Sequence, residues 1–456
     1  MIYQYPTYYY DFQCINKNCP DTCCGGWNIS IDSESLKRYR RILRNFHKST
    51  HNTPSHSTLS HNFSSPHPSK AFLCHFRKAI DFHHSAIRLS DRFCPLLTNE
   101  NLCGMYLHLG KDSLCKTCRT YPRHQEELGS LREISLSLSC PEAARIILSQ
   151  KTRPQMQARC TSKPCPLDQQ VEENVLAWLL KAREALLDVL WKPGRSLETS
   201  ISMTLAFSHD LQRRHSKGLF YQNGQFCLET ACKDLDHLSH KYLSDHSTQR
   251  FIHKLYKKLK AASPESKPKS GSHSFQAWIS SFLKLYSSLE PVVEIWPQLM
   301  RLCQNSLIPG NTTSRCLSQT TAFQTEFAQI PEKQLLTYFI QVYFPGSVYD
   351  DNLFDKVQFA VISWLAIRLL AHSLALQNGV QQVTSTTDSS FHSYLIQAAY
   401  LYSRQVENYD QNLCALFDGL HTQKYFHLIP FLSFLNACQP ALHQPATRSK
   451  KRRRSL

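Results

Sequence analysis

From about residue 168 onward, apolar positions recur at three- and four-residue steps. In VEENVLAWLLKAREALLDVLW, which follows Asp168, the residues Val171, Val175, Trp178, Leu179, Ala182, Leu186 and Leu190 form one stripe, the mark of an amphipathic helix. The same period runs through 233–260, 275–302, 332–344, 352–376 and 391–408. Polar or breaker-rich text interrupts it at 261–274, 304–320 and 377–390. Strand-like alternation is sparse, and no regular internal repeat is present. The most apolar stretch, Phe359–Leu376, contains Arg368 and His372, so it predicts a buried helix and no membrane span.

The first 150 residues read differently. Trp27, Ile29 and Ile31 alternate with polar residues and predict a short extended piece. Asp32 or Ser33 can cap a helix over roughly Ser35 to Phe46. Residues 47–70 are rich in Ser, Thr, Pro and His without an apolar period, which predicts a loop or disordered insert with solvated histidines. Pro141 and Glu142 open a further helix, PEAARIILSQ, with proline in its first turn. The tail TRSKKRRRSL predicts a solvated basic end. The fold class expected is mainly α: an irregular cysteine-rich metal-binding module over 1–150, packed on an all-α body over 151–440, with a basic tail over 441–456.

Composition narrows the chemistry. The chain has 456 residues, a formal charge of +17 and 13 glycines, roughly half the usual glycine share. No two glycines stand in a Gly-x-Gly arrangement, which excludes the dinucleotide fingerprint and the P-loop. The positive balance favours an acidic partner surface, but no nucleic-acid recognition motif accompanies it. The start, MIYQYPTYYYDFQC, shows neither the basic nor the apolar part of an export signal, so a cytoplasmic location is expected.

Ten of the 18 cysteines lie within the first 140 residues. One group is Cys14, Cys19, Cys23 and Cys24; a second is Cys94, Cys103, Cys115 and Cys118, with Cys140 beyond as a second-tier candidate. Thiolates at such spacings in a reducing compartment point to a soft metal centre before disulfides. Only Cys115 and Cys118 form a compact pair, whereas a structural zinc site usually shows two; iron–sulfur clusters accept looser spacings. Spacing alone leaves zinc and iron–sulfur open. Gly25 and Gly26 would let the backbone approach such a centre closely, Trp27 would pack over it, and Asp21 would orient its loop. Arg119 and Arg123 are candidates to neutralise its charge or grip a carboxylate. Cys160 with Cys165, and Cys227 with Cys232, are possible further pairs.

The segments YYYDFQCINKNCPDTCCGGWNISID, FCPLLTNENLCGMYLHLGKDSLCKTCRTYPR and SLSCPEAAR together resemble the bacterial flagellin lysine-N-methylase family, within the wider group of cysteine-rich putative zinc- or iron-chelating proteins. Looser similarity continues through EKQLLTYFIQVYFPG, DKVQFAVISWLAIRLLA and YSRQVENYDQNL. The resemblance implies methyl transfer from S-adenosylmethionine to flagellin lysines. It also implies a [4Fe-4S] cluster on four of Cys14, Cys19, Cys23, Cys24, Cys94, Cys103, Cys115 and Cys118, with zinc as the runner-up.

Methylating a lysine requires a neutral amine in line with the departing sulfur, a pocket for the sulfonium and a route for the proton. No compact motif announces these parts, and no catalytic or cofactor-binding residue is assigned. Asp350, Asp351 and Glu407 are candidate bases, though each residue type in such a place is more often a helix cap or surface charge. With few glycines and helical text, a Rossmann-like methyltransferase is not expected, and the cofactor is expected near the cysteine centre. The competing readings are a non-catalytic metal-binding interaction module and a cluster-based redox protein; a membrane or nucleic-acid partner is not expected.

Overall fold

The computed structural model describes residues 2–51, 68–161, 171–261, 270–306, 329–378 and 389–437. The basic tail, Asp168, Cys165 and most of the His-rich insert lie outside the described residues. The expected mainly α architecture is present, with two two-stranded ribbons and one larger addition among the described residues: a four-stranded mixed sheet near the N-terminus.

That sheet is built from β1 (Ile2–Pro6), β2 (Arg123–Leu128), β3 (Leu131–Leu136) and β4 (Met156–Cys160), in the order β2-β3-β1-β4. β2 and β3 form a hairpin in which Leu128 faces Leu131, and Gly129, at φ 54°, supplies the left-handed turn residue. β1 runs parallel to β3 and antiparallel to β4.

The helices are α1 (Ser33–His51), α2 (Lys70–Ala79), α3 (Gly104–Leu109), α4 (Lys116–Thr120), α5 (Pro141–Leu148), α6 (Glu173–Leu190), α7 (Leu197–Ser216), α8 (Leu228–Leu243) and α9 (Asp245–Ala261). They continue with α10 (Ser270–Ser287), α11 (Trp296–Ser306), α12 (Ile330–Tyr343), α13 (Leu353–Gln377), α14 (Ser389–Val406), α15 (Asp410–Thr422) and α16 (Leu428–Ala437). Three expectations shift. The period over 233–260 spans two helices, because Ser244 takes an extended conformation and then accepts the amide of Thr248. The period over 275–302 is interrupted at Pro291, which has no N–H to continue a helix. Residues 47–51, read as loop, complete α1.

α13 holds the body together. It is apolar all round and buried, as a core helix must be, and it packs against α7, α12 and α14. Among the described residues it alone is long and apolar enough to cross a membrane, and 94% of that stretch is buried inside the protein. Its two interrupting residues are accommodated internally. Arg368 lies 3.5 Å from the Glu332 carboxylate and over the Trp364 ring, while burial pushes His372 down to about 3, so it stays neutral.

Most of the buried apolar residues among the first 150 divide between two cores, and Leu128 and Leu131 join Val171 and Leu176 in a small third one. Ile29, Ile31, Leu36, Tyr39, Phe76, Ile87 and Met105 form a small core that includes Cys94 and Cys115. Tyr8, Phe12, Leu136, Leu138, Cys140 and α5 belong to the large core of the helical body. The sheet is tied to that body by the buried Arg183 of α6, which donates to Glu133 Oε2 at 2.7 Å.

The small core is pinned by Asp32. Its carboxylate accepts the amide of Ser35 at 2.9 Å, capping α1, and the amide of Lys116 at 2.8 Å, at the start of α4. Partial burial works against ionisation, but these bonds, led by that from Lys116, hold the group down at about 2. A folded-state value below the unfolded one means stability that is present above about pH 4 and lost as pH falls through about 2. We expect Asp32→Ala to cost about 1 kcal/mol at neutral pH. Its difference from the wild type in denaturant melts should vanish on acidification through that window. An unchanged difference at acid pH would contradict the assignment.

Candidate metal centre

Backbone pairing brings the cysteine segments together. The Cys94 amide donates to the Cys24 carbonyl at 2.6 Å, and the Gly26 amide to the Arg92 carbonyl at 3.0 Å. The Gly104 amide donates to the Leu96 carbonyl at 2.7 Å, which places Cys103 beside the same strand-like stretch. The expected extended piece at 29–31 pairs with 85–87, and the Cys115 thiol reaches the Ser30 carbonyl at 3.7 Å. The glycines also have packing and backbone reasons of their own. A Cβ on Gly25 would meet the Phe93 ring at 2.5 Å, one on Gly104 the Leu96 carbonyl at 2.8 Å, and Gly26 sits at φ 81°.

Six of the eight candidate thiols meet here: Cys23, Cys24, Cys94, Cys103, Cys115 and Cys118. The single S–H of Cys24 is shared between Cys103 and Cys23, and that of Cys118 is directed to Cys115. The bond from Cys24, aided by the amides of Tyr106 and Met105 and opposed by burial, brings Cys103 down to about 6. The bond from Cys118 brings Cys115 down to about 7, again against burial. Cys23 is lowered for the same reason as Cys103, while the donors Cys24 and Cys118 are raised. Burial pushes Cys94 up to about 11. Cys103 and Cys115 each stand at the N-terminal end of a short helix, where free amides stabilise a thiolate.

Cys14 and Cys19 stand at the edge of this group. Cys19 and Cys23 both interact electrostatically with the buried Cys140, which burial raises to about 12. Cys74, Cys160 and Cys414 are exposed, Cys303 is buried beside Ser373, and Cys227 and Cys232 contact Thr230 and Lys181.

Among the described residues, no group of three or more His, Cys, Asp or Glu side chains is arranged to hold a single metal ion. The donor set itself, six soft sulfurs with Cys103 and Cys115 shifted toward the thiolate, is chemically suited to a soft metal centre.

The cation of the site comes from elsewhere than expected. Arg119 is exposed, and Arg123 lies over the rings of Tyr9 and Phe12. Arg404, on α14, pairs with Asp21 at 2.6 Å, in the loop between Cys19 and Cys23. It also donates to the Ser139 carbonyl at 2.9 Å and lies over the Tyr400 ring, and its buried Nη2 has no protein partner. Its charge favours the thiolates of Cys19 and Cys23. Trp27 closes the group, its indole N–H on the Cys23 carbonyl at 3.0 Å and its ring 5.6 Å from Tyr121.

Of the three candidate bases, Asp350 pairs with Lys356 at 2.5 Å and Asp351 with His215 at 3.0 Å, which are structural roles. Glu407 differs. Its Oε1 accepts the hydroxyls of Tyr338 and Tyr343 at 3.1 and 3.0 Å, its Oε2 is buried without a partner, and burial raises its pKa. A larger cleft of about 690 Å³ lies between α11 and the end of α13; no thiol or carboxylate is among the described residues that line it.

With this geometry in hand, similarity to known proteins can be placed on the fold. Residues 183–434, more than half of the chain, match the FliB lysine N-methylase C-terminal domain. The chain therefore belongs to this family of flagellar lysine N-methylases, and the match covers the helical body that carries Arg404 and Glu407. Among individual proteins, the lysine-N-methylases of Salmonella choleraesuis and Salmonella typhimurium are each 28% identical over 146 residues, 32% of this chain and 32% of theirs. The flagellar biosynthetic protein FliU of Salmonella muenchen is 27% identical over 146 residues, 32% of this chain and 75% of its own. The match thus spans about a third of the lysine-N-methylases' length. No solved structure matches.

Arg404→Gln would leave Asp21 and the Ser139 carbonyl without their donor, an expected cost of about 1–3 kcal/mol. Amide hydrogen exchange should quicken over 14–26 more than over 103–118. Uniform quickening of both segments, or none, would contradict a role specific to the first cysteine loop.

Proposed function

We propose that this protein is an S-adenosylmethionine-dependent protein-lysine N-methyltransferase acting on flagellin in the cytoplasm. We further propose that a [4Fe-4S] cluster is held by four of the converging cysteines. The observation that carries this reading is the docking of the thiol group onto the family's helical body through Arg404 and Asp21. Membership of the family and the printed names of its relatives support the reaction class; the thiol donor set supports the cluster.

In the reaction, the lysine nitrogen attacks the sulfonium methyl group. The new N–C bond forms as the S–C bond breaks, and the nitrogen then sheds its proton, leaving methyllysine and S-adenosylhomocysteine. Four of Cys23, Cys24, Cys94, Cys103, Cys115 and Cys118 would hold the metal group, which when bound would supply iron–sulfur chemistry at the thiol group. Arg404 offsets the negative charge that thiolates bring into a partly buried place. Trp27 and Tyr121 shield the centre from water on one side. Glu407, a buried carboxylate held by Tyr338 and Tyr343, would be the group in the family's domain that accepts the proton.

Anaerobic purification should give iron and acid-labile sulfide in about equal amounts, near four of each per chain. The same sample, given flagellin and S-adenosylmethionine, should add mass to flagellin in steps of one methyl. Zinc without sulfide would replace the cluster by a zinc site. No mass gain from a fully loaded sample would overturn the methyltransferase reading.

A further inference from the structure

The sheet face that packs on α12 gathers acidic groups in an otherwise basic chain. Register sets Glu126 opposite Glu133 and His124 opposite Ser135 across the β2–β3 hairpin, and Gln4 opposite Glu133 across β1–β3. Together with Tyr8, Tyr338 and Gln341, these β2 and β3 side chains line a cavity of about 20 Å³. That is enough for one group of the size of water, which an ammonium group also is.

The lining is incomplete as a hydrogen-bonding system. Glu133 Oε2 is satisfied by Arg183, but the other oxygen, Oε1, is buried without a protein partner. Gln341 Nε2, which also lines the cavity, and Gln4 Oε1, next to Glu133 in register, are buried and unpartnered as well. Each such atom costs about 1–3 kcal/mol unless something completes it. The amide of Gln341 can turn over to present its oxygen. The phenol rings of Tyr8 and Tyr338 are buried in the wall, and ring faces attract ammonium and methylammonium groups. Glu126 and His124, half-exposed and 3.3 Å apart, stand at the mouth. No lysine or arginine is among the described residues that line the cavity. Behind Tyr338 lies the carboxyl group of Glu407, on its hydroxyl.

We infer that this cavity, lined by Glu133, Gln341, Tyr8 and Tyr338 behind a Glu126–His124 mouth, receives the ε-ammonium tip of a lysine side chain. The carboxylate and amide oxygens accept its N–H groups, and the rings of Tyr8 and Tyr338 line the same space. An unbranched four-carbon stem is the shape that reaches such a point from the surface. This assignment deepens the methyltransferase reading and rests on it for its purpose, but binding itself needs no methyl donor.

The test compares Nα-acetyl-lysine amide with Nα-acetyl-norleucine amide, which has the same stem without the nitrogen. Binding of each to the full-length protein is followed by NMR in the absence of S-adenosylmethionine. The lysine amide should bind about tenfold more tightly or better. Glu126→Gln, at the exposed mouth, should weaken it about threefold and raise KM for flagellin with kcat little changed. Glu133→Gln should remove the preference, and a melting curve with Glu126→Gln beside it separates that loss from unfolding caused by leaving Arg183 unpaired. Equal affinity for the two amides, or no saturable binding of either, would show that the cavity holds water alone and overturn the assignment. Lysine preference without any methylation of flagellin would retire the methyltransferase reading and leave this site standing; methylation without lysine preference would do the reverse.

Discussion

Two short hydrogen bonds, from the Cys94 amide to the Cys24 carbonyl and from the Gly104 amide to the Leu96 carbonyl, fix the molecule's chemistry. The first joins the Cys23–Cys24 loop to the distant Cys94 stretch, and the second folds that stretch back on Cys103. Close thiols compete for ionisation: Cys24 and Cys118 are pushed up, and their partners Cys103 and Cys115 are brought down. A cluster of anionic sulfur is costly in a partly buried place unless cations or helix amides compensate it. Both are present, the amides locally and the cation from the distant α14.

This makes the helical body a working part of the centre. Arg404 reaches from α14 to Asp21 in the first cysteine loop, and one turn further along the chain Glu407 takes the hydroxyls of Tyr338 and Tyr343. Arg183 of α6 makes the parallel connection to the sheet through Glu133. The cysteines thus lie largely outside the stretch that defines the family, while the side chains that anchor and balance them lie inside it. α13, buried on every face, is the frame on which these helices are set.

Much of this was legible in the sequence, and the parts that were not have physical reasons. Periodicity marked α6, α12, α13 and α14, because amphipathic or wholly apolar helices carry their packing in their pattern. It did not reveal α7, LETSISMTLAFSHDLQRRHS, whose many Ser and Thr residues blur the stripe although most of its first half is buried. The sheet was missed because RHQEEL and LREISL carry charges on the face turned to the body, where Glu133 is matched by Arg183 and not by apolar contact. A tight turn at Gly129-Ser130 between those runs was the available signal. The thiols that meet were named from their spacing and the family resemblance. Their cation was not, since Arg404 is remote in sequence and nearer arginines, Arg119 and Arg123, were the natural candidates.

The account stands on sulfurs from separate segments sharing one place, which thiol cross-linking reads directly. The reduced, metal-free protein treated with dibromobimane, which bridges only thiols within a few ångströms, is digested and its linked peptides are sequenced by mass spectrometry. The structure requires bridges joining the Cys23–Cys24 peptide to the Cys103 peptide, alongside one between Cys115 and Cys118. Bridges confined to neighbours in sequence, such as Cys14 with Cys19, with none to the Cys103 peptide, would contradict it.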